Sequence, residues 1–307
     1  MSTAIESRPR CLWEVQAELG EGPAWVPRER ALYFVDILGR RIHRWSEDGA
    51  RHSWNAPAEP GFVFPSTEGG FICGLRGGLH RFDPIAGEFE QLIEVERDKP
   101  SHRLNDGFVD QAGRLWFGTM HEDAHTPGGA LYSLEQDATL RLHDSSYVVT
   151  NGPAVSPDGC TLYHSDSGRR TIYAFTHEAG VLSNRRTFVT LPEGSFPDGM
   201  AVDSVGQLWI AVFNGWRIER YAPDGRKVGD IPFPCAHVTK LVFGGSDLRT
   251  LFVTTACAGL TADQRLQQPL AGGLFALRSP VPGLEPMAAS WGQTIAPAAS
   301  RAVNSPQ

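Results

Sequence analysis

Short runs of β-branched and aromatic residues, alternating with polar positions and broken by Gly, Pro and Asp, recur along almost the whole chain. The commonest unit is an apolar run, a tight polar turn and a second run. It appears at 31–36 with 42–45, 70–73 with 79–82, and 114–118 with 130–132. Further copies lie at 161–166 with 172–175, 207–210 with 218–221, and 250–253 with 273–276. Leu32, Phe71, Leu115, Leu162, Leu208 and Leu251 hold the same place in each copy, at steps of 39 to 47 residues. That step is the length of a four-stranded blade. No segment sustains the period of a long helix, and turns such as Ser156-Pro157-Asp158-Gly159 and Ala222-Pro223-Asp224-Gly225 suit hairpins. A β-sandwich explains the strands but not the near-constant step. The predicted fold is all-β, a six-bladed β-propeller.

A second repeat keeps time with the first. An oxygen-bearing residue, then Gly, then an apolar run precedes four of the strand pairs, at Glu21-Gly22, Asp106-Gly107, Asn151-Gly152 and Asp198-Gly199. Pro60-Gly61 and Thr239-Lys240 occupy the same phase in the second and sixth units. In a propeller the first strand of each blade lines the central channel, so these residues face one another at one mouth. Asp-Gly or Asn-Gly alone is an ordinary turn dipeptide. Four in phase with the blades are not. Carboxylates gathered in a confined space repel unless a cation neutralises them. Oxygen donors favour calcium, magnesium or manganese, with zinc and ferrous iron as alternatives.

Composition narrows the setting. Of 307 residues 41% are hydrophobic, enough for a large core, and the formal net charge of −7 argues against nucleic acid as partner. No stretch has the length and apolarity of a membrane span, and residues 1–10 lack the apolar run of a secretory signal. The five cysteines are scattered without metal-type spacing, which predicts free thiols and a cytoplasmic location. The expected organisation is a flexible N-terminus over 1–10, a propeller over 11–277 and an Ala/Pro/Ser-rich tail over 278–307 that frays. The strand-like stretch 11–17 is a candidate to close the ring.

Five motifs, in order, resemble the SMP-30/gluconolactonase/regucalcin-like family: Leu19-Gly20-Glu21-Gly22-Pro23, Arg103-Leu104-Asn105-Asp106-Gly107, Gly118-Thr119-Met120, Thr150-Asn151-Gly152-Pro153 and Pro197-Asp198-Gly199-Met200. The resemblance spans about residues 11–277 and extends to bacterial sugar-acid lactonases of the xylonolactonase and arabinonolactonase type. It implies one divalent metal held by Glu21, Asn151 and Asp198, and substrate contacts from Arg103 and Asn105. A further acidic contact falls on Glu122 or Asp123, where the run His121-Glu122-Asp123-Ala124-His125 departs from the family's commoner pattern.

The implied reaction is hydrolysis of an aldonolactone to the free aldonic acid. The metal polarises the carbonyl, Asp198 acts as general base on water, and Arg103 and Asn105 orient the polyol. Water activated by the cation itself is the alternative to Asp198. Two other functions share the scaffold: a metal-dependent esterase or phosphotriesterase, and a non-catalytic metal-binding propeller. The expected partner is a small sugar lactone, with the protein a monomer or weak homo-oligomer. His121 to His125 matches the H-E-x-x-H pattern, but a preceding strand and the following Thr126-Pro127-Gly128-Gly129 leave no helix to present both imidazoles.

Overall fold

The computed structural model describes residues 8–291. Its strands form six four-stranded antiparallel sheets arranged as the blades of a propeller. Blades 1 to 5 each use four consecutive strands, starting at Gly20–Val26, Pro60–Pro65, His102–Val109, Thr150–Val155 and Phe196–Val202. Blade 6 takes Val238–Gly244, Thr250–Thr255 and Leu274–Arg278 from the end of the chain and Arg10–Trp13 from its beginning. The N-terminal strand pairs Arg10 with Ala276 and Cys11 with Phe275, so it closes the ring as expected, over a shorter span. A six-residue helix, Ala262–Gln267, interrupts blade 6 and starts with Thr261 and Gln264 capping each other's backbone N–H.

Each blade grades from buried at the axis to exposed outside. The innermost strands of blades 1 and 4 are buried throughout, whereas the outer strands Glu88–Glu94 and Val181–Thr190 are largely exposed. The buried apolar side chains fall into six clusters, one at each junction between neighbouring blades. Tyr33 and Phe71 join blades 1 and 2; Trp25 and Phe252 stack across the closing junction with ring centres 5.2 Å apart. Burial between blades is what turns six marginal sheets into one body. Trp116 and Trp209, both fully buried, give their indole N–H to Asp110 and Asp203 at 2.9 Å, so neither ring buries an unpaired donor.

The C-terminal stretch differs from expectation. Residues 279–291 do not fray but run across the end of the channel remote from Glu21. Gly283 pairs with Asp203 of blade 5 and bonds to Leu248 of blade 6; Ala289 pairs beside Ser66 of blade 2; Ser290 bonds to Gly113 of blade 3. Ala289 and Trp291 are buried in the cluster between blades 2 and 3. The Ala- and Pro-rich composition suits an extended strap whose backbone finds partners on the blades. Leu284 and Met287 cover an apolar cavity on the axis, lined by Phe64, Phe108, Val155, Val202 and Phe243. The expected fraying of 1–7 and 292–307 lies outside the described residues.

Candidate metal centre and substrate mouth

The opposite end of the channel is polar, and its geometry comes from a defect repeated in every blade. The pairing between first and second strands skips at Glu21/Ala24, Pro60/Phe62, Leu104/Gly107, Asn151/Ala154, Pro197/Met200 and Val238/Lys240. A bulge re-aims the side chain beside it. The Glu-Gly, Asn-Gly and Asp-Gly pairs are therefore bulges in the innermost strands rather than turns between strands. Gly22 and Gly152 adopt φ of +52° and +49°, and a Cβ on Gly152 would lie 2.8 Å from the amide nitrogen of Met200. Only glycine lets neighbouring blades approach this closely at ligand level.

Glu21, Asn151 and Asp198 stand at the bulges of the innermost strands of blades 1, 4 and 5 and are each at least nine-tenths buried. The carboxyls of Glu21 and Asp198 lie close enough to act on each other's protonation. Burial, then the charge of Asp106, pushes Glu21 up to about 8. Burial, then Glu21, raises Asp198 well above the usual carboxylate range. Two carboxyls this close and dry are held in contact by a proton, or by a cation in its place. Asn151 is tied through Ser167 to the residue before Asp198: its Nδ2 donates to Ser167 Oγ at 2.9 Å, and that hydroxyl donates to the carbonyl of Pro197 at 2.6 Å. Among the described residues no three His, Cys, Asp or Glu side chains form a metal-binding group; the donor set that the family resemblance implies is two carboxylates and one amide oxygen. Those all-oxygen donors, and the repulsion they leave to be neutralised, fit a hard divalent cation.

Arg103 and Asn105 extend the set toward solvent. Arg103 Nη1 donates to Asn105 Oδ1, and Asn105 Nδ2 donates to Thr150 O at 2.6 Å and Asn151 Oδ1 at 2.7 Å. Asn105 thus spends its amide protons on blade 4, while Arg103 keeps N–H groups free of protein partners among the described residues. Desolvation and the nearby Arg76 bring Arg103 down to about 10, so it stays charged at neutral pH. Glu122 accepts from Arg76 at 3.0 Å and is half exposed. Asp123 turns into its own loop, accepting from the backbone of His125 and Thr126 and from the Thr126 hydroxyl; these bonds hold its carboxyl far below the usual range. The residues from 122 to 128 form turns and no helix, which removes the geometry a zinc-protease motif needs.

Three groups escaped the sequence reading. Asp36 accepts the N–H groups of Glu18, Leu19 and Gly39 at 2.9–3.0 Å. Asp166 accepts those of Val148, Val149 and Arg169 at 3.1–3.3 Å. Each carboxylate ends the second strand of its blade and pins the loop leading into Glu21 or Asn151. The matching Asp at 36 and 166, in the same phase of units 1 and 4, was the available signal. The third is Lys240, buried on the axis and paired with Asp106. A lysine inside the apolar run 238–243 was its mark in the sequence.

Residues 19–257 match the family model described as SMP-30/Gluconolactonase/LRE-like region. The chain is 36% identical over 278 residues to 6-deoxy-6-sulfogluconolactonase of Pseudomonas putida, covering 89% of this chain and 96% of that protein. It is also 36% identical to a pentonolactonase of Haloferax volcanii, over 79% of this chain and 83% of that one. Among solved structures, a calcium-binding protein, regucalcin, from Agrobacterium tumefaciens superposes with a TM-score of 0.87 at 26% identity, covering 91% of this chain and 96% of that one. The chain belongs to the SMP-30/gluconolactonase/LRE-like family.

Proposed function

We propose that this protein hydrolyses a sugar-acid lactone to the open aldonic acid with the help of one divalent cation held by Glu21, Asn151 and Asp198. The observation that carries the reading is the buried contact of the Glu21 and Asp198 carboxyls beside the Arg103–Asn105–Asn151 chain of hydrogen bonds. The lactonase names of the two relatives support the substrate class, and the regucalcin neighbour supports a divalent ion, calcium among the candidates.

A bound divalent cation supplies Lewis-acid polarisation of the lactone carbonyl. Asp198 takes a proton from the attacking water as oxygen bonds to the carbonyl carbon, and returns it to the ring oxygen as the C–O bond breaks. Burial and the Glu21 charge strengthen Asp198 as a base, offsetting the loss of basicity that a cation imposes on a ligand. Arg103 presents a charged donor fork to the polyol, and Asn105 holds both Arg103 and Asn151 in place. Of the two acidic candidates, Asp123 is committed to its own loop, so Glu122, paired with Arg76, is the one assigned to substrate hydroxyls.

The test is a pH-drop assay on a panel of aldonolactones and on paraoxon-like esters, with metal content measured by elemental analysis. Turnover of aldonolactones that vanishes on chelation and returns with a divalent ion is expected. A preference for phosphotriesters, or no hydrolysis at any metal loading, would overturn the proposal.

A further inference from the structure

The Lys240–Asp106 ion pair takes no part in the reaction above, yet it lies at the level of the ligands. Asp106 is fully buried and accepts the N–H of its neighbour Gly107 at 2.7 Å and of Gly152, the residue after Asn151, at 2.6 Å. Its carboxylate thus ties blade 3 to blade 4 beside one ligand. Lys240 crosses from blade 6, donating to Asp106 and to the carbonyl of Gly107 at 2.8 Å. Its stem lies against Gly199, the residue after Asp198, where an added Cβ would fall 2.3 Å from Lys240 Cγ. The pair therefore touches the backbone next to two of the three ligands.

We propose that Lys240 is a metal-selectivity residue, cancelling a third carboxylate so that a bound ion meets the charge of Glu21 and Asp198 alone. The inference rests on the metal-binding reading above. In a dry site a full charge a few ångströms from an ion outweighs small differences in ion radius. With the ammonium in place the site favours divalent ions; without it, a trivalent ion gains more than a divalent one. A merely structural ion pair would affect stability and leave this preference alone.

The experiment compares Ca²⁺ with Tb³⁺, two ions of similar radius and different charge, by calorimetric titration of the metal-free full chain at pH 7.5. Lys240→Met is expected to raise the Tb³⁺ to Ca²⁺ affinity ratio by about tenfold or more. Asp106→Asn alone lowers that ratio by a similar factor. The double variant, which removes both charges, returns it to within about twofold of wild type. A folded Lys240→Met protein with an unchanged ratio overturns the proposal, as does a double variant that fails to restore it. If Lys240→Met does not fold, Asp106→Asn and the double variant decide. Wild type that binds neither ion, or whose binding is untouched by Glu21→Gln, defeats the metal site itself rather than the role of Lys240.

Discussion

Asn105 Nδ2 donates to Asn151 Oδ1 at 2.7 Å across the junction of blades 3 and 4. With Asn151 Nδ2 given to Ser167, this bond fixes which end of the Asn151 amide is oxygen and leaves Oδ1 one lone pair for a cation. Asn105→Ala is therefore expected to weaken divalent-ion affinity by about 10–100-fold, the usual cost of losing a group that orients a ligand. Calorimetry with Ca²⁺ or Mn²⁺ checks it; an unchanged affinity would leave Asn105 to substrate alone.

Asp36 and Asp110, compared with each other, separate stability from ion binding. Asp36→Ala strands three N–H groups and releases the loop before Glu21, so both stability and ion affinity fall; the stability loss is about 2–4 kcal/mol. Asp110→Ala also strands backbone donors and the Trp116 indole, but at the strap end of the channel. It should lower stability and spare ion affinity. Denaturant unfolding and metal titration of both variants test the contrast.

Asp198→Asn, assayed with metal occupancy verified, is expected to lose about 10²–10⁴-fold in kcat, the range of a general base. Near wild-type turnover in the loaded variant would remove Asp198 as the base.

Gly152→Ala places a side chain at positive φ against the Met200 amide, while Gly49→Ala has positive φ and no neighbour within 4 Å. Backbone strain alone costs about 1 kcal/mol at Gly49, and the added clash makes Gly152 the worse site by about 1–3 kcal/mol. Equal losses of thermal midpoint would deny the close approach of blades 4 and 5.

Three histidines make the fold sensitive to mild acid. Burial lowers His43 and His143 to about 4 and His164 to about 3, each below its ordinary value. The unfolded chain takes up their protons as pH drops through about 6.5, while the native state does not. Stability contributed by the neutral rings is thus complete above 6.5 and drains away as pH falls toward 4. His164→Phe should flatten the slope of thermal midpoint against pH between 6.5 and 5 by about one proton's worth; an unaltered slope would argue against a neutral, buried His164.

The propeller was legible because its cause is local and periodic: the same alternation, at the same step, in all six units. Glu21, Asp106, Asn151 and Asp198 were legible as one set because the bulges they stand beside share that phase, while the choice of three among them came from the family resemblance. What the pattern could not convey is pairing across blades. Asp106 has the same sequence signature as Asp198, yet its charge is spent on Lys240, a residue 134 positions away. The strap over 279–291 was misread because extended backbone bonded to loops needs neither apolar alternation nor β-branched residues. Asp123 and Glu122 stand side by side in the chain, but only the hydrogen bonds of the loop distinguish them.

Sharing blade 6 between the two ends of the chain has a consequence for synthesis. Residues 10–13 lack the strand they pair with until 274–278 have been made. Blades 1, 4 and 5, which carry Glu21, Asn151 and Asp198, are all made before that moment, without the closed circle that sets their spacing. The cation site proposed above is therefore incomplete during translation. Capture of the proposed ion would report that the last wedge has been seated.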